Sequence, residues 1–226
     1  MIDCQNKDAI EEWIHSQDWY QTIDLSNGLV TPGKFDTRKR LKFLTDIDFK
    51  KNKRVLDVGC NSGQYCLFAS KRGAIEVVGI DIFEKRLEQA KTLAAIEKTN
   101  IKYFQKSIFE ISDLGKFDIV FCFAVLTEIS DFFGAVEALK TVVGNEAFIE
   151  LDLAKPVCYI STSINWLKKN TGISRFKAVS EVRKSKHGWM ISPSLEILEA
   201  VIGKDFKLKH LGRGARYEMV KVTRLC

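Results

Sequence analysis

Proline is scarce in this 226-residue chain, with only three, and there is no serine- and glycine-rich stretch to act as a linker. Nothing in the composition therefore divides the chain into separately folding halves. No apolar run approaches the roughly 18–20 residues needed to span a bilayer. Met1–Asp18 mixes charged and apolar residues, which argues against a signal peptide. The six cysteines, at 4, 60, 66, 122, 158 and 226, form no C-x-x-C pair and have no histidines at ligand spacing. A zinc site and a disulfide framework are both disfavoured, no metal is expected, and the thiols read as small apolar residues in a reducing cytoplasm.

What is present is apolar content enough for one compact domain, 46% of residues, and a net charge of +6. The positive charge gathers at Lys50-Lys51-Lys53-Arg54, at Arg183-Lys184-Lys186-His187 and from Lys204 to Arg216. Such a field favours an anionic partner, whether a phosphorylated metabolite, an acidic sugar or RNA, although ordinary solvated lysines give the same pattern. No RNA-binding module signature or arginine-rich tail accompanies it. A membrane partner is not expected, and a monomer or a homodimer is.

A helix is expected near residues 7–18, from Ile10, Trp13 and Ile14, and a second from Phe35 to Asp46. Ser26-Asn27-Gly28 and Thr31-Pro32-Gly33 form the loop between them. From Lys53 onward short apolar strands alternate with helices. The strands are Arg54–Val58, Glu76–Ile80, Ile101–Gln105, Phe117–Phe121 and Glu146–Leu151; the helices are Tyr65–Arg72, Glu84–Lys98 and Phe132–Val142. This alternation predicts an α/β fold whose mostly parallel sheet carries helices on both faces. Beyond it, Val157–Lys169 reads as a helix, Thr171–Trp189 as irregular and basic, and Ser194–Ile202 as a helix capped by Ser192 or Ser194. Lys207–Leu211 and Arg216–Thr223, separated by Gly212-Arg213-Gly214, predict a terminal antiparallel hairpin, for seven strands in all.

The first strand runs into Asp57-Val58-Gly59-Cys60-Asn61-Ser62-Gly63. A side chain at either glycine would block close approach of a ligand to the backbone. The D-x-G-x-x-x-G spacing differs from the G-x-G-x-x-G that seats a pyrophosphate. An acid ahead of the glycines is wrong for phosphate and right for a cationic amino-acid end. Asp81, 24 positions on, ends the second strand. Its two acceptor oxygens can hold both hydroxyls of a ribose, while its alternative role is a helix cap. Ile82 would then pack on an adenine ring. Gln105-Lys106-Ser107-Ile108 ends the third strand where the adenine edge arrives, and Ser107 can bond its amine. Phe117-Asp118-Ile119-Val120-Phe121-Cys122-Phe123-Ala124-Val125-Leu126 then runs from the fourth strand toward the reacting group.

Taken in order and spacing, VLDVGCNSG, VVGID and FDIVFCFAVL resemble the class I, Rossmann-like, S-adenosylmethionine-dependent methyltransferases over about residues 53–152. A narrower resemblance rests on Trp19-Tyr20-Gln21-Thr22-Ile23, on Thr31-Pro32-Gly33-Lys34-Phe35-Asp36-Thr37-Arg38 and on His187-Gly188-Trp189-Met190-Ile191-Ser192-Pro193-Ser194. These blocks are similar to the group related to the tRNA wobble-uridine methyl/carboxymethyl transferases (CmoB-like). The resemblance implies S-adenosylmethionine as cofactor, held by Asp57, Gly59, Asn61, Gly63, Asp81, Ile82, Ser107, Ile108 and Phe123. It also implies an N-terminal helical lid over residues 1–50, and a methyltransferase domain over 51–226 with a substrate-side insertion around 155–195.

Where that group commonly has G-V-L-Y-H, this chain has Ala124-Val125-Leu126-Thr127-Glu128. A carboxylate there would repel a carboxylated cofactor, which favours ordinary S-adenosylmethionine. A counterpart of the long N-terminal region of the tRNA enzymes is not expected, which weighs against a tRNA substrate. Glu128 and His187 are the candidate catalytic bases, with a solvated loop carboxylate and a surface histidine as their alternatives. Tyr20, Lys34, Arg38 and Trp189 are the candidate substrate contacts; Lys34 and Arg38, one helical turn apart, could clamp a carboxylate or phosphate. The expected activity is methylation, O-directed by family resemblance, of a small anionic acceptor, with an RNA methyltransferase and a non-catalytic cofactor-binding protein as rivals.

Overall fold

The computed structural model of the chain describes residues 3–154, 181–185 and 188–225. The central sheet has seven strands in the order β3-β2-β1-β4-β5-β9-β8. They are β1 (Arg54–Val58), β2 (Glu76–Asp81), β3 (Lys102–Gln105), β4 (Phe117–Phe123), β5 (Val143–Leu151), β8 (Phe206–Arg213) and β9 (Glu218–Arg224). The first five are parallel, with Val55 in register with Val77 on one side and Ile119 on the other. β9 pairs antiparallel with β5 and β8 antiparallel with β9. The α/β fold with a terminal hairpin is as the alternation predicts.

Strand periodicity sorts the core into two layers. Val55, Val77, Ile119, Phe121 and Phe148 face α2 (Gln64–Lys71), α3 (Glu84–Ile96) and the N-terminal segment, where Ile10, Ile14, Trp19, Ile23 and Leu44 join the same core. Leu56, Val78, Ile80, Val120 and Ile149 face α4 (Phe132–Val142) and α5 (Leu195–Ile202). Both layers are buried because successive side chains of a strand point to opposite faces. α1 (Lys7–Ser16) is capped by Asn6, α4 by Asp131 and α5 by Ser194.

Three expectations change. Phe35–Asp46 is not an α-helix: Thr37–Phe43 is a 3-10 helix. The Tyr65 hydroxyl donates to the Thr37 carbonyl at 2.9 Å, taking the acceptor that an α-helix would give to residue 41. Within Thr171–Trp189, expected to be irregular, β6 (Glu181–Ser185) pairs antiparallel with β7 (Gly188–Ser192) as a separate two-stranded sheet. The helix expected at Val157–Lys169 lies outside the described residues. The terminal hairpin turns later than expected, its register shifting between His210 and Gly212, so that β8 reaches Arg213 and the Gly214 amide meets the Tyr217 carbonyl at 2.8 Å. The early glycine is absorbed by the irregularity inside the strand instead of making the turn.

Candidate active site

The connections leave β1 in opposite directions, toward β2 and β3 on one side and β4 and β5 on the other. The crevice at the C-terminal ends of these strands, where the order reverses, is where open α/β sheets bind ligands. Between β1 and α2, Gly59 (φ +71°), Asn61 (+51°) and Gly63 (+84°) all take left-handed backbone conformations. A methyl group on Gly63 would meet the Tyr103 hydroxyl at 2.5 Å, and one on Gly59 would run into Val125. The turn is locked from within: the Asn61 side chain accepts from the Ser62 amide at 2.9 Å, and the Ser62 hydroxyl donates to Gln89 at 2.9 Å.

Asp81, at the tip of β2, is 7% exposed. One of its oxygens accepts the Asn61 amide and the other the Phe83 amide, each at 2.9 Å. Each oxygen keeps an acceptor site, so the carboxyl both fastens the glycine turn and can take a vicinal pair of hydroxyls. Burial raises its pKa and the Phe83, Asn61 and Ile82 amides pull it back down, leaving it above the ordinary carboxylate value. Beside it Ile82 and Phe83 expose apolar surface. Asp57 lies beneath the turn, 1% exposed, with the Cys66 thiol 3.4 Å from one oxygen. Burial, with Asp81 nearby, pushes its pKa up to about 8, against the opposing effects of Cys66 and Arg40.

Ser107 caps the 3-10 turn Ile108–Glu110: its amide donates to Glu110 at 2.8 Å and its hydroxyl accepts the Phe109 amide at 3.4 Å. One of its lone pairs is therefore already used. Ile108 is buried in the layer that faces α4.

Across β1, Phe123 ends β4 in the core and stands 4.7 Å, ring to ring, from Tyr65. Ala124 follows at φ +62°, its amide held by the Glu150 carbonyl at 2.8 Å, and the 3-10 turn Leu126–Glu128 brings Glu128 to the surface. Beneath lies a buried ion pair, Arg40 (3% exposed) with Glu150 (0%). Arg40 Nε donates to Glu150 Oε2 at 2.9 Å and Nη1 to the Tyr65 hydroxyl at 3.0 Å. The other Glu150 oxygen accepts the Ala215 and Arg216 amides at 2.6 and 3.2 Å. One carboxylate thus joins the 3-10 helix of the N-terminal segment, the end of β5 and the β8–β9 turn. Arg216 reaches from that turn to the Tyr20 hydroxyl at 3.0 Å, its guanidinium over the rings of Phe35 and Tyr217.

The N-terminal segment is sewn to the turn by buried polar contacts. The Thr37 hydroxyl donates to Gln64, the Gln64 amide meets Gln21 at 3.4 Å, and Gln89 donates to the Asp18 carbonyl at 3.0 Å.

Among the expected substrate and catalytic groups, Tyr20 and Glu128 come together around Arg216, whose charge Glu128 helps to hold. Lys34 and Arg38 do not join them: Lys34 pairs with Asp18, and Arg38 with Asp24 and Asp36, all on exposed surface. His187 and the side chain of Trp189 lie outside the described residues. Sequence reasoning missed Arg216, Arg40 and Glu150. The usable signal was Glu150 itself, one acid inside the apolar run Ala147-Phe148-Ile149-Glu150-Leu151. Arg216 also changes the electrostatic reading of Glu128, since the acid shares its surroundings with a cation and does not stand as a lone repelling charge.

Residues 55–145 match a family model described as a methyltransferase domain. This stretch, which holds the Asp57–Gly63 turn and Asp81, carries the likeness to methyltransferases. Among curated relatives, the chain is similar to a tRNA U34 carboxymethyltransferase of Campylobacter hominis, 28% identical over 64% of this chain and 60% of the relative. It is also similar to a ubiquinone biosynthesis O-methyltransferase of Coxiella burnetii, 33% identical over 51% of this chain and 48% of the relative. The chain thus spans between about half and three-fifths of these two relatives. Among solved structures, the N-terminal domain of EvdMO1 with SAH bound superposes at TM-score 0.72 and 14% identity, covering 98% of both chains. Magnesium protoporphyrin IX methyltransferase (ChlM) from Synechocystis PCC 6803 with bound SAM gives 0.54 at 15% identity, over 77% of this chain and 71% of that one.

The residues around this turn fit the cofactor. Asp81 has an acceptor site left on each oxygen, the apolar surface of Ile82 lies beside it, and the left-handed backbone at Gly59, Asn61 and Gly63 shapes the turn next to both. Among the described residues no helix is long and apolar enough to cross a membrane.

Proposed function

We propose that this protein transfers a methyl group from S-adenosylmethionine to an oxygen of a small anionic acceptor, a phosphorylated or carboxylated metabolite or sugar, in a biosynthetic or tailoring pathway. When bound, the cofactor supplies a methyl group already activated on a sulfonium. The chain's task is then to align the acceptor and exclude water. Asp81 holds the ribose hydroxyls, Gly59, Asn61 and Gly63 let the backbone come close, and Ile82 lies against the adenine. Residues 1–50 form the lid, and Phe123 ends β4 beside the cofactor's transferable methyl. Glu128 takes the proton if the acceptor is a hydroxyl.

The observation that carries the reading is the pairing of two half-sites across β1. One half offers Asp81 and the glycine turn to the cofactor; the other gathers Tyr20, Arg216 and Glu128 where an acceptor would sit. The curated relatives act, by their names, on tRNA U34 and in ubiquinone biosynthesis, so both a nucleic-acid and a small-molecule acceptor have precedent among them. In the Lys50–Arg54 cluster, the ion pairs Lys51–Asp48, Lys53–Asp118 and Arg54–Glu76 leave less unpaired charge for RNA than the sequence suggests. The buried thiols of Cys60, Cys66 and Cys122 suit work in a reducing cytoplasm.

The test is methyl transfer from labelled S-adenosylmethionine to a panel of phosphorylated and carboxylated hydroxy compounds and to bulk tRNA. Labelling of tRNA alone would overturn the small-molecule reading. With an acceptor in hand, Glu128→Gln should lower turnover by about 100-fold or more while cofactor affinity holds within a factor of about two. Wild-type turnover would remove Glu128 from the reaction.

A further inference from the structure

We infer that the Arg216 guanidinium is an anion-binding subsite, walled by Tyr20, Phe35 and Tyr217, that takes a single carboxylate or phosphate group of the acceptor. The inference deepens the proposed methyl transfer and rests on that reading only for the identity of the molecule that carries the anion.

Among the described residues, the buried and half-buried arginines are mostly occupied. Arg40 ends on Glu150, Arg54 on Glu76, Arg86 on Asp18, and Arg224 on the carbonyls of Val143 and Lys140. Arg216 is different. Among the described residues its guanidinium makes one hydrogen bond, to the Tyr20 hydroxyl, and no ion pair. A guanidinium has five N–H donors, so most of its capacity is uncommitted. Yet it is held: the Phe35 ring lies 4.9 Å below its central carbon and the Tyr217 ring 5.1 Å away. Phe35 in turn packs 4.8 Å from Tyr20. Rings stacked on a guanidinium leave its edge as the direction for hydrogen bonding.

The Tyr20 hydroxyl adds to the site. It accepts from Arg216 and so keeps its own proton to donate, and the two groups together present donors from adjacent positions to one anion. Burial works against the charge on Arg216, but Tyr20, Tyr217 and Glu128 outweigh it, so the group stays protonated throughout the working pH range.

The position points to the acceptor rather than the adenosine. Arg216 sits on the turn fixed by Glu150 at the end of β5, across β1 from Asp81 on β2. The Arg40–Glu150 pair under this turn holds the backbone amides of Ala215 and Arg216, so the guanidinium starts from a fixed base.

The experiment is a titration of the chain with inorganic phosphate, and separately with acetate, at constant ionic strength, with and without saturating S-adenosylhomocysteine. The readout is the NMR signal of the Arg216 Nε–H, with Arg213 of the same hairpin as internal control. A saturable shift at Arg216 and none at Arg213 is expected. Arg216→Gln should weaken binding about ten-fold or more, Tyr20→Phe should weaken it less, and Arg213→Gln should leave it unchanged. Tyr20→Phe keeps the ring that packs on Phe35, so it tests the donor even if Arg216→Gln unfolds. Absence of a saturable shift, or equal affinity in Arg216→Gln, overturns the subsite. Failure of S-adenosylhomocysteine to bind would refute the transferase reading separately, and the titration without it still decides Arg216.

Discussion

Replacing Arg40 by methionine would remove the cation of an ion pair whose members are 3% and 0% exposed. The aliphatic side chain fills much of the volume, so the principal loss is electrostatic. Glu150 would keep the Ala215 and Arg216 amides but lose both Arg40 hydrogen bonds and its counter-charge. Breaking one partner of a buried pair costs about 3–5 kcal/mol, because the remaining charge stays in a place water does not reach. For a chain of this size, that lowers the melting temperature by roughly 6–20 °C. Adding Glu150→Gln should recover part of the loss, since the double variant has no buried charge and keeps an acceptor for the two turn amides. The three variants and the wild type form a cycle measured by urea unfolding at pH 7. A loss below about 1 kcal/mol in Arg40→Met, or a double variant equal to the sum of the singles, would refute the account of the pair as a buried joint.

The glycine turn gives a second prediction. Gly63→Ala combines a left-handed φ with a contact of 2.5 Å to the Tyr103 hydroxyl, so unfolding should show about 1–3 kcal/mol of destabilisation, with cofactor affinity reduced as well. Stability and affinity both at wild-type level would mean that the turn does not need its glycine. Asp57 gives a third. Its native pKa of about 8 lies above the unfolded value of about 3.9, so the native state binds the proton more tightly and stability contributed by this group falls as pH rises between those values. Asp57→Asn should remove that slope, and a wild-type-minus-variant difference that is flat between pH 5 and 8 would contradict the buried, protonated acid.

Much of this fold can be read from local pattern. Val55, Leu56 and Val58 belong to a strand buried on both faces, and the alternation of such strands with α2, α3 and α4 leads to the observed parallel sheet. The glycines and Asp81 are legible for a related reason: each is adjacent in sequence to the turn it makes, so spacing and geometry are the same information. Arg40 is not. In Thr37-Arg38-Lys39-Arg40 the three basic residues look alike, and only the folded chain shows Arg38 turning out to Asp24 and Asp36 while Arg40 turns in to Glu150, 110 positions later. The same holds for Arg216, whose partner Tyr20 is 196 residues away. Lys34 and Arg38 have the spacing of an anion clamp, but spacing cannot reveal that acids on neighbouring loops already neutralise them. The expected helix from Phe35 to Asp46 fails for a comparable reason, since the Tyr65 hydroxyl from a distant helix takes a carbonyl in its first turn.

The central claim is that the Asp57–Gly63 turn and Asp81 together seat S-adenosylmethionine. Calorimetric titration of S-adenosylhomocysteine into the wild type and into Asp81→Ala tests it most directly. Two hydrogen bonds to a charged acceptor, at about 1.5–3 kcal/mol each, would be lost, so affinity should fall by about 100-fold or more with one site per chain in the wild type. Equal binding by the two proteins would contradict the account.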